Sequence, residues 1–141
     1  MSDFPSVPVR LTIASTPAHL PVVRAALERL CELMGFDEET RGGIVLSVDE
    51  ALTNVIRHAY QGAPDKRIDV TFRPVGGGGA ALEVELRDWG TPVPPEQIRP
   101  RDLADVRPGG PGVHIMKNCM DEVSYAPAPE GGTLLKMIKR L

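Results

Sequence analysis

Glu50, Asn54 and His58 follow one another at intervals of four residues inside Asp49-Glu50-Ala51-Leu52-Thr53-Asn54-Val55-Ile56-Arg57-His58-Ala59-Tyr60. On a helix that spacing lines three polar side chains along one face. A carboxylate can take a proton, and an amide oxygen suits a hard cation such as magnesium. Two readings stay open on spacing alone. One is a polar helix edge facing water. The other is the rim of a pocket, with Glu50 as base and Asn54 as metal ligand.

Two further groups carry chemistry. Leu86-Arg87-Asp88-Trp89-Gly90 passes from apolar alternation into Asp-x-Gly. An aspartate at a strand end, followed by a glycine that permits a sharp turn, can present an acceptor into a pocket. Taken singly, an Asp-x-Gly triplet equally describes a plain turn. Gly109-Gly110-Pro111-Gly112 precedes an apolar-periodic segment starting near Val113. Backbone N–H groups at a helix start and in glycine turns make an anion site, although a simple helix-start loop has the same composition.

The elements that must position these groups can be read from periodicity. Val7 to Ala14 alternates through Val9, Leu11 and Ile13, as a strand does. Ser15-Thr16-Pro17 supplies a cap and a first-turn proline for a helix burying Leu20, Val23, Leu27, Leu30 and Met34 and ending at Gly35. Asp37 opens a second and longer helix, with Glu38 and Glu39 in its first turn. Its wide apolar stripe comprises Ile44, Val45, Val48, Ala51, Leu52, Val55, Ile56 and Ala59, and Gln61 to Pro64 stops it.

Arg67 to Val75 and Ala80 to Leu86 read as strands joined at Gly76 to Gly79. Those four glycines are no phosphate loop, because no Lys-Ser or Lys-Thr follows and a strand comes next. From Thr91 to Pro111 the chain turns proline-rich and aperiodic, the mark of a functional lid or a disordered insert. A helix resumes through Val113, Ile115, Met116, Cys119 and Met120. Val123 to Pro127 and Thr133 to Ile138 close as strands around Pro129-Glu130-Gly131-Gly132.

Composition bounds the partners. The 141 residues suit one domain over 1–141, with 42% hydrophobic and 25% charged residues as in ordinary globular proteins. A formal charge of -3 argues against direct binding to nucleic acid through its backbone. Cys31 and Cys119 sit in apolar helical patterns without metal-like spacing and read as free thiols. Met1 to Pro5 has no leader pattern, and no apolar run is long enough for a bilayer, so the expected setting is the cytoplasm, off the membrane.

Taken in order, Glu-x-x-x-Asn on a helix, Asp-x-Gly after a strand and a glycine-rich stretch before a helix resemble the N, G1 and G2 boxes of the GHKL ATPases. Within that superfamily, Gly110 to Val123, with its Met120-Asp121-Glu122-Val123 close, and the late Gly132-Thr133 look like the stand-alone serine kinases that act as bacterial anti-sigma factors. The resemblance covers nearly the whole chain.

It implies an α/β (α+β) two-layer sandwich of the Bergerat type, with a mixed, largely antiparallel sheet carrying helices on one face. It also implies ATP and magnesium. Glu50 would be the base for an acceptor serine, and Asn54 the ligand of magnesium. Asp88 would accept from the adenine amino group, with Gly90 letting the base lie close. Gly110, Gly112 and Val113 would wrap the phosphates, and Thr133 would sit near adenine. His58 would either touch phosphate or be structural.

The expected activity is phosphorylation of an anti-anti-sigma partner with a STAS fold, in a protein that can also hold a sigma factor and forms a homodimer. The alternative is a binding-only module that sequesters a partner. A detached histidine-kinase domain is a third reading, but the only histidines are His19, His58 and His114, and no upstream segment of this sequence is expected to be long enough for the dimerising hairpin. The sequence departs from the pattern at Pro92, where a second G1 glycine is usual, and at Pro111 inside the G2 box. Both bear on turnover more than on nucleotide binding.

Overall fold

The computed structural model describes residues 5–77, 80–92 and 112–141, with side chains from residue 115 onward in the last stretch. The proline-rich segment 93–111, and with it Gly110 and Pro111, lies outside the described residues.

Strand β1 (Val9–Ala14) leads through a 3-10 turn at Pro17–His19 into α1 (Leu20–Met34). Thr16 caps the turn, its side chain accepting from Ala18 N–H. Ser15, fully buried, donates its hydroxyl to the Ala63 carbonyl at 2.5 Å and accepts from Lys66 N–H at 2.9 Å. It thereby ties the end of β1 to the entrance of β2 (Arg67–Val75). Helix α1 ends as expected at Gly35, which is left-handed at φ 100. Asp37 caps α2 (Glu38–Asn54) by accepting from Thr40 N–H.

Strand β3 (Ala81–Asp88) pairs with β2, and β5 (Thr133–Arg140) pairs with both β3 and β4 (Glu122–Pro127). The sheet order is β1-β2-β3-β5-β4. All four pairings are antiparallel, so the largely antiparallel sheet expected is wholly so among the described strands. Register sets the two faces: Leu11, Val70, Leu86, Leu135 and Tyr125 stand in one row across all five strands. The neighbouring row is Val9, Phe72, Val84, Met137 and Val123.

These rows face the helices. Val23, Leu27, Ile44, Val48 and Leu52 join Phe72, Val84 and Met137 in one buried cluster. Fully burying each such side chain contributes about 1.5–3 kcal/mol. Helix α3 (Gly112–Cys119) lies against α2 and adds Met116 to that cluster. The opposite sheet face is polar: Arg10, Thr12, Asp69, Arg73, Glu85, Arg87 and Lys136 alternate with the inward rows. This is a two-layer fold, with the helices on one side.

Candidate functional site

Helix α2 does not continue regularly into the segment that carries His58. After Asn54 it widens into a π turn over Val55–Ala59, closed by Tyr60 N–H bonding the Val55 carbonyl at 3.0 Å. Turns of this kind often mark functional sites. The four-residue repeat that places Asn54 and His58 on one face therefore breaks between them. Asn54 is partly buried and His58 is exposed.

The Ala59 carbonyl, at the end of this turn, accepts from Thr91 N–H at 2.9 Å. The Asp-x-Gly loop is thus anchored to the end of the helix. Gly90 lies so close that a Cβ there would sit 2.4 Å from the Ala59 oxygen.

Asp88, the last residue of β3, points to the helix side and is only 4% exposed. Its carboxylate accepts from Gly90 N–H at 2.9 Å. Burial raises its proton affinity above the ordinary carboxylate value, opposed by backbone bonds from Gly90 and Thr133 and by the Arg87 charge. The one bond donated by Gly90 leaves an ionised carboxylate with acceptor capacity to spare.

Asn54, Asp88 and Thr133 open onto one cavity, whose other walls are Ala51, Val55, Ala59, Leu86, Tyr125 and Leu135. A buried acceptor and an amide among apolar walls is the composition of a small-molecule site. The cavity measures about 40 Å³, room for two or three waters. Seating a purine ring there requires the surrounding side chains to yield. Tyr125 is the wall that sequence reading missed. Its position opposite Leu135 in the edge strand follows from register alone, and burial pushes its phenol up to about 12.

Glu50 stands one turn before Asn54 and is not among the cavity-lining residues. Its Oε2 is buried without a hydrogen-bond partner among the described residues. Burial raises its proton affinity, the adjacent Asp49 raises it further, and Arg57 pulls the other way. Asp49 itself lies 3.4 Å from Arg24 of α1. Gly90 lines a separate, open depression with Tyr60, Lys66, Arg67, Trp89 and Thr91, which meets the cavity at Ala59. Gly112 and Val113 begin α3. Among the described residues no three His, Cys, Asp or Glu side chains converge as a metal cluster. No helix among them is long and apolar enough to cross a membrane.

The sheet, the Asn54–Asp88–Thr133 cavity and the helix layer agree with a match to the histidine kinase-like ATPase domain over residues 13–139. The chain belongs to that family of ATP-binding, kinase-like domains. It is 28% identical over 123 residues to the serine-protein kinase RsbW of Listeria monocytogenes, covering 82% of this chain and 76% of that protein. The RsbW of Bacillus velezensis is also 28% identical, over 142 residues, with 94% and 85% covered.

Two solved structures share the fold. The RsbU and RsbW domains of a Mycobacterium tuberculosis protein superpose with a TM-score of 0.68 at 21% identity, over 97% of this chain and 33% of that one. The SiaB–SiaC complex of Pseudomonas aeruginosa gives 0.66 at 8% identity, over 94% and 88%.

Proposed function

We propose that the chain is an anti-sigma regulatory kinase. It binds ATP with magnesium and transfers the γ-phosphoryl group to a serine of a small STAS-type partner. The observation that carries this reading is the convergence of Asn54, Asp88 and Thr133 on one cavity beneath the sheet. The relatives named serine-protein kinase RsbW support the reaction class.

The donors present fit such a ligand. Asp88 offers a buried acceptor for an exocyclic amine, and Val55, Leu86 and Leu135 offer apolar surface to a ring. Asn54 offers one hard oxygen, and magnesium commonly takes one or two protein ligands and completes its shell with phosphates and water. When bound, the ion would neutralise charge on the phosphates.

Glu50 takes the proton from the acceptor hydroxyl as its oxygen bonds the γ-phosphorus. The bond from that phosphorus to the bridging oxygen breaks, and ADP leaves with the electron pair. The buried Oε2 of Glu50, without a hydrogen-bond partner among the described residues, would take that proton. Gly112 and Val113, at the N-terminus of α3, would offer backbone N–H groups to phosphate. Gly110 belongs to the same proposed phosphate wrap. A sigma factor as second partner, a homodimer and a cytoplasmic setting complete the proposal, with no direct role for nucleic acid.

Binding without transfer is the second reading. It is favoured by the absence of Glu50 from the cavity lining and by Pro92, which cannot donate an N–H in the G1 loop. One experiment separates the two. Glu50→Ala should abolish phosphate transfer to a STAS partner and leave the dissociation constant for Mg-ATP nearly unchanged. A wild-type chain that binds Mg-ATP and transfers nothing supports the binding-only module. A melting point unmoved by adenine nucleotides removes both, since a ligand at a hundred times its dissociation constant adds about 2.7 kcal/mol.

A further inference from the structure

Arg87 points away from the cavity, onto the sheet face that no described helix covers, yet it touches the backbone of Asp88 and of Gly131, two residues before Thr133. Its Nη1 donates to the Gly131 carbonyl at 2.6 Å, in the turn joining β4 to β5, and also to the carbonyl of Asp88. The two carbonyls belong to different strands' ends. One guanidinium therefore pins the β4–β5 turn to the end of β3.

The pinned contact is tight. At Gly132 a Cβ would lie 2.1 Å from the Asp88 carbonyl oxygen and 2.7 Å from Trp89 Cα. The turn is closed on itself by Ala128 N–H to the Gly132 carbonyl and Gly131 N–H to the Ala128 carbonyl, both 3.1 Å. Thr133 follows immediately and lines the cavity beside Asp88, where its backbone N–H favours the ionised carboxylate. A shift of this turn against β3 must therefore move Thr133 relative to Asp88.

Arg87 is itself held. Its guanidinium lies 4.3 Å from the centroid of the Trp89 ring, and that of Arg67 lies 4.8 Å from the same ring. Such cation–π contacts orient a planar guanidinium in a way lysine cannot reproduce. Asp69 fixes Arg67 through two bonds of 2.9 and 2.8 Å and accepts from Thr12 at 3.0 Å. Tyr60 completes the frame, donating to the Arg67 carbonyl at 2.5 Å and accepting from Trp89 N–H at 2.8 Å.

We propose that Arg87, braced by Trp89, is a positioning residue for base selectivity: from the far face of the sheet it sets the Asp88–Thr133 pair that reads the purine's amino edge. The proposal rests on the nucleotide reading given above. Adenine presents an amine to that pair where guanine presents a carbonyl. Holding an acceptor rigidly in place therefore favours the first over the second.

The test measures Mg-ATP and Mg-GTP binding by titration calorimetry on the full chain carrying Arg87→Lys, Arg87→Met or Asp88→Ala. The far-ultraviolet circular dichroism spectrum and a cooperative thermal melt report that each variant is folded. Arg87→Lys keeps the charge and stem packing, so it remains informative if Arg87→Met does not fold. The expected result is a loss of about tenfold in ATP affinity for Arg87→Lys, the scale of one charge-assisted hydrogen bond. GTP affinity should change much less, so the ATP-to-GTP preference narrows.

Wild-type ATP binding by the Arg87 variants, with Asp88→Ala impaired, overturns the proposal and leaves the nucleotide reading standing. Proportional loss of ATP and GTP also overturns it, because that describes general loosening. Wild-type ATP binding by Asp88→Ala overturns the purine reading and this proposal together.

Discussion

Gly90 and Ala59 are in contact through backbone: the position a Gly90 Cβ would occupy lies 2.4 Å from the Ala59 oxygen and 2.7 Å from its carbonyl carbon. The same oxygen accepts from Thr91 N–H at 2.9 Å. Helix end and loop are thus joined by one carbonyl. A side chain at 90 cannot be relieved by a rotamer change, because the obstacle is main chain. Gly90→Ala should lower stability by about 1–3 kcal/mol, the usual cost of overpacking. A urea midpoint equal to wild type would remove the contact from consideration.

Glu50 gives a pH dependence of definite sign. Its folded-state proton affinity is raised above the ordinary 4.5, first by burial and then by Asp49. The folded state therefore holds this proton more tightly than the unfolded chain. The associated stabilisation is complete below the unfolded value and is lost as pH rises through the folded one. Glu50→Gln removes that loss. The variant should be more stable than wild type at pH 7, and the gap should close below about pH 4. Thermal melts across that range check the sign; a gap that widens toward acid would reverse it.

Ser15 is a test of buried hydrogen bonding. It has no exposed surface, donates to Ala63 and accepts from Lys66. Ser15→Ala leaves the part-buried Ala63 carbonyl and the Lys66 N–H without that partner. The expected cost is about 1–3 kcal/mol. Hydrogen exchange at the Lys66 amide should quicken in parallel. Unchanged stability would mean that water replaces the hydroxyl.

The two cysteines should separate kinetically. Cys31 is fully buried, and burial pushes its thiol up to about 12. Cys119 is partly exposed on α3. Thiolate is the reactive species. A disulfide reagent at pH 8 should therefore modify Cys119 first, with Cys31 reacting only as the molecule opens. Cys119→Ser should abolish the fast phase, and loss of that phase in Cys31→Ser instead would reverse the order.

Much of the fold is legible in the sequence. Alternation placed β2 at Arg67–Val75, matching the observed strand, and the caps at Thr16, Gly35 and Asp37 are local chemistry between residues close in sequence. Boundaries were less secure: β1 begins at Val9 rather than Val7, and β3 runs on to Asp88. The aspartate therefore ends inside the sheet, because β2 continues beside it as far as Ile68.

What the linear chain determined by itself is the set of local periods and the polar residues interrupting them. An apolar stripe with Glu50 and Asn54 beside it needs only helix geometry to be recognised. Tertiary structure decided which of those polar groups meet. The π turn after Asn54 turned His58 out to solvent, and antiparallel register carried Thr133 and Tyr125 to Asp88 from 45 and 37 positions away in sequence. Arg87 was beyond sequence reading for the same reason: its partner is the carbonyl of Gly131, and a backbone acceptor is present at every residue. Which one is used depends on how the chain returns, since a hydrogen bond requires contact within about 3 Å and no local pattern encodes that distance.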